Sequence, residues 1–163
     1  MNIRKLQLKD APLMLEWMHD KSVVENMREN FSDKTLEDCR KFILKSWKDK
    51  ENLHLAIVDD KDIYMGTVSL KHIDADKKQA EFAIAIRSCA MGSGISQYAM
   101  AEIIRKGFSE MELEKIYWCV SKNNTRAIRF YEKNGYKKMD SGVISEGVTP
   151  KYYNSYVWYQ EEK

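Results

Sequence analysis

Proline and glycine are scarce in this chain, at two and seven of 163 residues. A sequence so poor in turn formers is not a linker or a disordered tail, and its 44% apolar content is an ordinary globular share. Cysteine is scarcer than glycine. Cys39, Cys89 and Cys119 are odd in number and far apart, with no C-x-x-C pair, which indicates neither a disulfide framework nor a zinc site. His19, His54 and His72 show no metal-ligand spacing, so no metal is expected. Long hydrophobic runs are absent too, and no window approaches the ~20 apolar residues of a membrane span. Residues 1–6 alternate like a strand and lack the basic-then-apolar form of a secretory leader. The expectation is a protein of the reducing cytoplasm with no membrane partner. Charge of one sign is also lacking: 27 Lys and Arg against 25 Asp and Glu leave +2. That is too little for a nucleic-acid binder, and no basic stripe interleaves with aromatics. The length suits a single domain over residues 1–163.

What is present reads as alternating strands and helices. Residues 2–8 form a first strand. Asp10 can cap a helix with Pro12 in its first turn, running through Leu15, Trp17 and Met18. Residues 22–30 give a second short helix or a loop. Thr35-Leu36-Glu37-Asp38 resembles a capping box, with Asp in place of Glu, opening a helix to about residue 49. That helix is expected to bury Leu36, Cys39, Phe42, Ile43 and Trp47. Residues 53–58 and 63–73 pair as a hairpin in which Gly66 marks a bulge. A polar turn, 74–78, leads to a strand over 81–87. After a glycine loop, a helix carries the stripe Met100, Ile103, Ile104, Gly107, Phe108 and Met111. A strand at 115–121, a second helix and two last strands, about 136–141 and 152–160, follow. The order is β-α-α-β-β-β-α-β-α-β-β.

Two segments carry chemistry. Residues 124–136 read N-T-R-A-I-R-F-Y-E-K-N-G-Y. Asn124, Ala127, Ile128 and Tyr131 share one helical face, and Gly135 tolerates the left-handed backbone of a helix C-terminus. Read alone, this is equally an amphipathic helix with a core tyrosine and a glycine cap. Upstream, Glu81-Phe82-Ala83-Ile84-Ala85-Ile86-Arg87 alternates at period two, and Ser88-Cys89-Ala90-Met91-Gly92-Ser93-Gly94-Ile95 joins it to a helix. A glycine-containing loop at a helix N-terminus is an anion site, because free N–H groups and the helix dipole point at the same spot. A lone G-x-G is weak evidence. Strand, G-x-G, helix, strand and then N-x-x-A-x-x-x-Y-x-x-x-G-Y, in that order, is strong.

Together these segments resemble the GNAT acetyltransferase superfamily, over essentially the whole chain and most specifically between Glu81 and Tyr136. The resemblance implies an α+β three-layer fold: a mixed central sheet splayed at its middle, with helices on both faces. It implies acetyl-CoA as acyl donor, lying in the V-shaped gap. The pyrophosphate would sit on Met91, Gly92, Ser93, Gly94 and Ile95. The pantetheine would pair with the backbone of Ile84, Ala85 and Ile86, next to the small side chains of Ala83 and Ala85. Asn124 would hydrogen-bond the pantetheine with Ala127 beside it, and Tyr131 would face the sulfur. The loop departs from the family in carrying Cys89 where Gln or Arg is usual, and Ser93 where many members have a basic residue. Arg87, Arg126, Arg129 and Lys133 are candidates to supply the missing charge.

Amine acetylation needs a base for the acceptor and an acid for the leaving thiolate. Tyr131 is the candidate acid and Glu81 the candidate base, although Glu81 reads equally as a solvent-exposed edge carboxylate. The Ile86 N–H can stabilise an oxyanion. His72 and His19 are weaker bases. Cys89 and Cys119 read as small buried hydrophobes, since no Cys/His/Asp arrangement accompanies them. The acceptor site implied by the family lies around residues 16–31 and 142–156. There Glu16, Asp20, Glu25 and Glu29 face Lys21 and Arg28, and Tyr152, Tyr153 and Tyr156 offer rings.

The resemblance extends to the branch of ribosomal-protein N-terminal, polyamine and amino-sugar acetyltransferases. The function expected is acetyl transfer from acetyl-CoA to a primary amine by direct attack in a ternary complex. A small amine or amino sugar is preferred to a protein N-terminus, in a monomer or homodimer. The alternative is a catalytically silent acyl-CoA-binding or regulatory module. A nucleotide-binding role is disfavoured without G-x-G-x-x-G or G-K-S/T.

Overall fold

The structure, a computed structural model, describes residues 1–139 and 155–163. Its strands are β1 (Asn2–Lys5), β2 (Leu53–Val58), β3 (Tyr64–Asp74), β4 (Gln79–Ile86), β5 (Lys115–Ser121), β6 (Lys137–Lys138) and β7 (Tyr156–Glu162). Its helices are α1 (Ala11–Met18), α2 (Lys21–Val24), α3 (Leu36–Ser46), α4 (Ile95–Glu110) and α5 (Thr125–Lys133). Single 3-10 turns precede α1 and α4. The sheet runs β1-β2-β3-β4-β5-β7-β6. All its neighbours are antiparallel except β4 and β5. The sequence-expected strands at 136–141 and 152–160 fall partly outside the described residues.

Strand alternation builds two cores, one on each face. Leu55, Ile57, Val68, Leu70, Phe82 and Trp118 point to the face covered by α4 and α5. Ala56, Val58, Tyr64 and Ala85 point to the face covered by α1 and α3. Helix α4 lies close against the sheet because Gly107 has no side chain: a Cβ there would come within 2.9 Å of Ile116 Cδ1. Gly66 has the same duty between strands. A Cβ on it would stand 2.4 Å from the Ala85 carbonyl oxygen. The β2–β3 register shifts beside it, as the bulge reading expects.

Several local signals act as the sequence suggests. Thr35 and Asp38 form a reciprocal capping box on α3. Asn124 caps α5 by accepting from the Ala127 N–H at 3.1 Å. Gly135, at φ +75, ends that helix, with the Tyr136 N–H bonded to the Tyr131 carbonyl and the Gly135 N–H to that of Glu132. This is the two-bond glycine terminus that satisfies the last orphan carbonyls.

Three expectations are corrected. Asp10 starts α1 but its side chain does not cap it. The carboxylate accepts from Arg4 at 2.8 and 2.9 Å and from the Gln7 N–H instead, because a buried acid needs a charged partner. Trp47 falls just past the last turn of α3 and is 47% exposed, with its indole N–H donating to the Leu6 carbonyl. Cys89 is exposed, since it lies on the surface turn before the glycine loop, while Cys119 is only part-buried.

Candidate active site

The parallel seam between β4 and β5 is short. Only Gln79, Ala80 and Glu81 pair with Lys115, Ile116 and Tyr117. Beyond Glu81 the strands part, and residues 82–86 and 118–121 each keep a partner on one side only. The Arg87 N–H donates to the Met65 carbonyl at 2.9 Å, on the β3 side. Alternation therefore turns the N–H and C=O groups of Phe82, Ile84 and Ile86 into the gap. A cavity of about 640 Å³ opens there. Its lining takes in Ala83, Ile84 and Ala85 from β4, Trp118 to Ser121 from β5, and Asn124, Ala127 and Tyr131 from α5.

At the open end of the gap lies the loop before α4. Gly92 and Gly94 hold φ of +80 and +83, and Gly94 is the N-cap of α4 with no side-chain cap bond. A Cβ at Gly94 would meet nothing within 4 Å, so the backbone angle demands glycine there, not lack of space. The first-turn N–H groups of α4 thus have no intrahelical partner. Arg126 leans across from α5, its Nη1 3.1 Å from Met91 Sδ and its Nη2 3.9 Å from where a Gly92 Cβ would stand.

A family model described as an acetyltransferase (GNAT) domain matches residues 1–137. The chain belongs to the GNAT acetyltransferases. It is an acetyl-CoA-dependent N-acetyltransferase. PseH, an acetyltransferase of Campylobacter jejuni, is 23% identical over 139 residues, which are 85% of this chain and 84% of that protein. The spermidine N(1)-acetyltransferase of Escherichia coli K12 is 35% identical over 71 residues, 44% of this chain and 38% of its own. The solved spermidine N-acetyltransferase of Vibrio cholerae, in complex with CoA and spermine, shares the fold. Its TM-score is 0.78 over 98% of this chain and 92% of that one, at 18% identity.

The GNAT donor fits what the residues offer: open strand N–H groups for an amide-rich arm, and a left-handed glycine loop at a helix N-terminus for phosphates. Asn124 spends its Oδ1 on the helix cap. Its Nδ2 keeps two donors at the cavity wall, with no hydrogen bond among the described residues. Of the candidate cations, Arg126 is the one that stands beside the glycine loop. The Arg87 guanidinium is instead paired with Glu16 at 2.9 and 3.1 Å.

Tyr131 is 7% exposed and its ring packs on Trp118 and Tyr159, 5.5 and 5.0 Å away. Burial pushes its phenol well above the usual tyrosine range, so it stays protonated at any physiological pH. Its hydroxyl has no hydrogen-bond partner among the described residues. Glu81 is buried, not an exposed edge group, and lies on the opposite face of the sheet with Ala83 and Ala85. Its carboxylate is 3.2 Å from Arg28, 3.9 Å from Lys71 and 3.7 Å from the His72 ring. His72 itself is exposed, and His19 bonds the Lys34 carbonyl outside the cavity lining. Burial raises the Cys119 thiol to about 11, which keeps it protonated.

His54 was not a candidate from sequence, yet it lines the cavity. Its Nδ1 is 2.7 Å from Ser69 Oγ, its ring packs on Phe42, and burial lowers its pKa. A lone histidine on an alternating strand gave no signal; only the pairing of β2 with β3 brings it to Ser69. Tyr152 and Tyr153 lie outside the described residues, while Tyr156 stands at the cavity with Arg28 over its ring.

Proposed function

We propose that this GNAT enzyme acetylates the primary amine of a small molecule by direct attack in a ternary complex, with the amine entering from the α1–α3 face. The observation that carries this reading is the seam ending at Glu81. It leaves an open strand edge between a glycine-loop anion site and a cavity that reaches both faces of the sheet. The spermidine acetyltransferases among its relatives support a small amine over a protein N-terminus.

Acetyl-CoA, when bound, supplies the activated acyl group. The Gly92–Gly94 loop, the first turn of α4 and Arg126 hold its phosphates. The N–H and C=O groups of Ile84 and Ile86 align its arm, with Asn124 and Ala127 on the opposite wall. The Ile86 N–H faces charge building on the acyl oxygen. Glu81 takes the proton of the attacking amine, directly or through one water, and Tyr131 gives a proton to the departing sulfur.

The test is acetyl-CoA calorimetry followed by thiol release with a panel of small amines. Micromolar binding and amine-dependent thiol release are expected. Replacing Glu81 with glutamine should lower kcat/KM by roughly 10²–10⁴. Full activity in that variant removes Glu81 from the mechanism.

A further inference from the structure

A primary amine meets the enzyme as an ammonium ion and leaves as an amide, so its nitrogen sheds two protons. Tyr131 returns one proton to the sulfur, and the other must reach solvent. Glu81 can hold one of the two. The structure offers a carrier for the second. On the α1–α3 face, His54, Ser69 and Ala83 stand side by side on β2, β3 and β4, in register. Directly opposed residues in such a row lie roughly 5 Å apart. Past Glu81 the β4–β5 pairing has ended, so the row runs out at the open edge of β4, where the amine must stand. His54, Ser69 and Ala83 line the cavity.

Within the row, His54 Nδ1 is 2.7 Å from Ser69 Oγ. Ser69 is buried yet lines the cavity, with the small Ala83 side chain between it and the gap. A ring with its hydrogen on Nε2 accepts the Ser69 proton at Nδ1, so the serine oxygen can take another from the chamber. Phe42 packs on the ring at 4.8 Å. Burial there holds the ring below the ordinary histidine pKa; it outweighs Asp49, which raises the pKa, while Lys71 and Lys45 lower it further. The imidazole is thus neutral at pH 7 and ready to accept. It is only part-buried, so a proton it gains passes on to solvent. The neighbouring row has no such sink. Thr67, opposite Ala85, lies 2.6 Å from the Tyr64 hydroxyl, which accepts from the Trp17 indole at 2.9 Å, and a phenol takes up no proton near neutral pH.

Resting on the small-amine reading above, we propose that Ser69 and His54 carry the ammonium proton away from the acceptor. The proton passes, directly or through one water, to Ser69 Oγ as the serine hydrogen moves to His54 Nδ1. The imidazolium then releases a proton to solvent, and His54 acts only through Ser69. Glu81 takes the second proton as the N–C bond forms, and in the balance that proton replaces the one Tyr131 gives to the sulfur. Each turnover leaves one amide, one thiol and one proton in water.

The experiment follows thiol release against pH with the fastest amine of the panel, for the parent, His54→Gln and Ser69→Ala, each checked by melting. While His54 holds the proton, the reacting complex carries as many protons as free enzyme plus ammonium. Parent kcat/KM should therefore stay flat from about pH 7 to about pH 9, below the ~10.4 of a lysine-like ammonium. Without the carrier the amine must first lose its proton to water, so kcat/KM of each variant should rise about tenfold per pH unit. The deficit should be roughly hundredfold at pH 7 and gone by about pH 9. The double variant should match the slower single one, because both groups serve one path. A histidine that merely packs would lower the profile without tilting it, so a variant profile parallel to the parent's overturns the proposal. A parent that itself climbs about tenfold per unit overturns it without any variant. Acetyl-CoA binding with no turnover of any amine would instead sink the small-amine reading, and the proposal with it.

Discussion

Replacing Tyr131 with phenylalanine separates a chemical tyrosine from a structural one. The ring sits against Trp118, Phe130, Tyr136 and Tyr159 at 5.5, 5.4, 6.1 and 5.0 Å, and phenylalanine keeps all four contacts. The hydroxyl bonds nothing among the described residues, so its removal forfeits no hydrogen bond there. Stability should therefore change by no more than about 1 kcal/mol, a shift of about 2–4 °C for a chain of this size. Without the proton donor, turnover should fall roughly 10²–10⁴-fold, while the acetyl-CoA Kd stays within about threefold. Thiol release gives kcat, calorimetry gives Kd, and a melting curve gives stability. A protein several degrees less stable with kcat intact would show that the phenol serves packing. A Kd that rises as much as kcat falls would make it a binding group.

Removing the guanidinium in Arg126→Ala should raise the acetyl-CoA Kd about three- to tenfold at low salt, and less at high salt. An unchanged low-salt Kd would deny Arg126 its role at the loop. Gly66→Ala puts a methyl 2.4 Å from the Ala85 oxygen. It should cost about 1–3 kcal/mol by overpacking and raise the acetyl-CoA KM, because β4 must move; an unaltered melting point would contradict the close approach. His54 has its folded pKa lowered by burial, so the unfolded chain binds the proton more readily. Stability should then decline as pH falls below about 6.5, the ordinary histidine value. Urea melts of His54→Gln at pH 7 and pH 5.5 should show a smaller decline than the parent; an equal decline would assign it to other groups.

How much of this was legible in the sequence depended on distance along the chain. Asn124 as a cap and Gly135 as a left-handed terminus were readable because cap and partner lie within a few residues. The two faces of β4 were readable because alternation is local: Phe82, Ile84 and Ile86 on one side, Glu81, Ala83 and Ala85 on the other. The contacts that give the site its charge were not. Arg126 reaches Met91 across 35 residues, Arg28 reaches Glu81 across 53, and Arg87 reaches Glu16 across 71. No spacing rule encodes such pairs, so Arg87 and Arg126 looked equivalent as phosphate ligands until the fold tied one of them to Glu16. Trp47 was misplaced because helical periodicity does not say where the helix stops.

The parting of β4 from β5 has a consequence for solubility. An unpaired strand edge ordinarily templates association with another chain. Here both bare edges are short, five residues on one side and four on the other, and they face each other across a wedge floored by the continuing seam. A flat strand from a neighbouring molecule cannot lie along either edge without colliding with the opposite one, whereas a slender flexible arm can. The geometry that admits a ligand is thus also a guard against self-association.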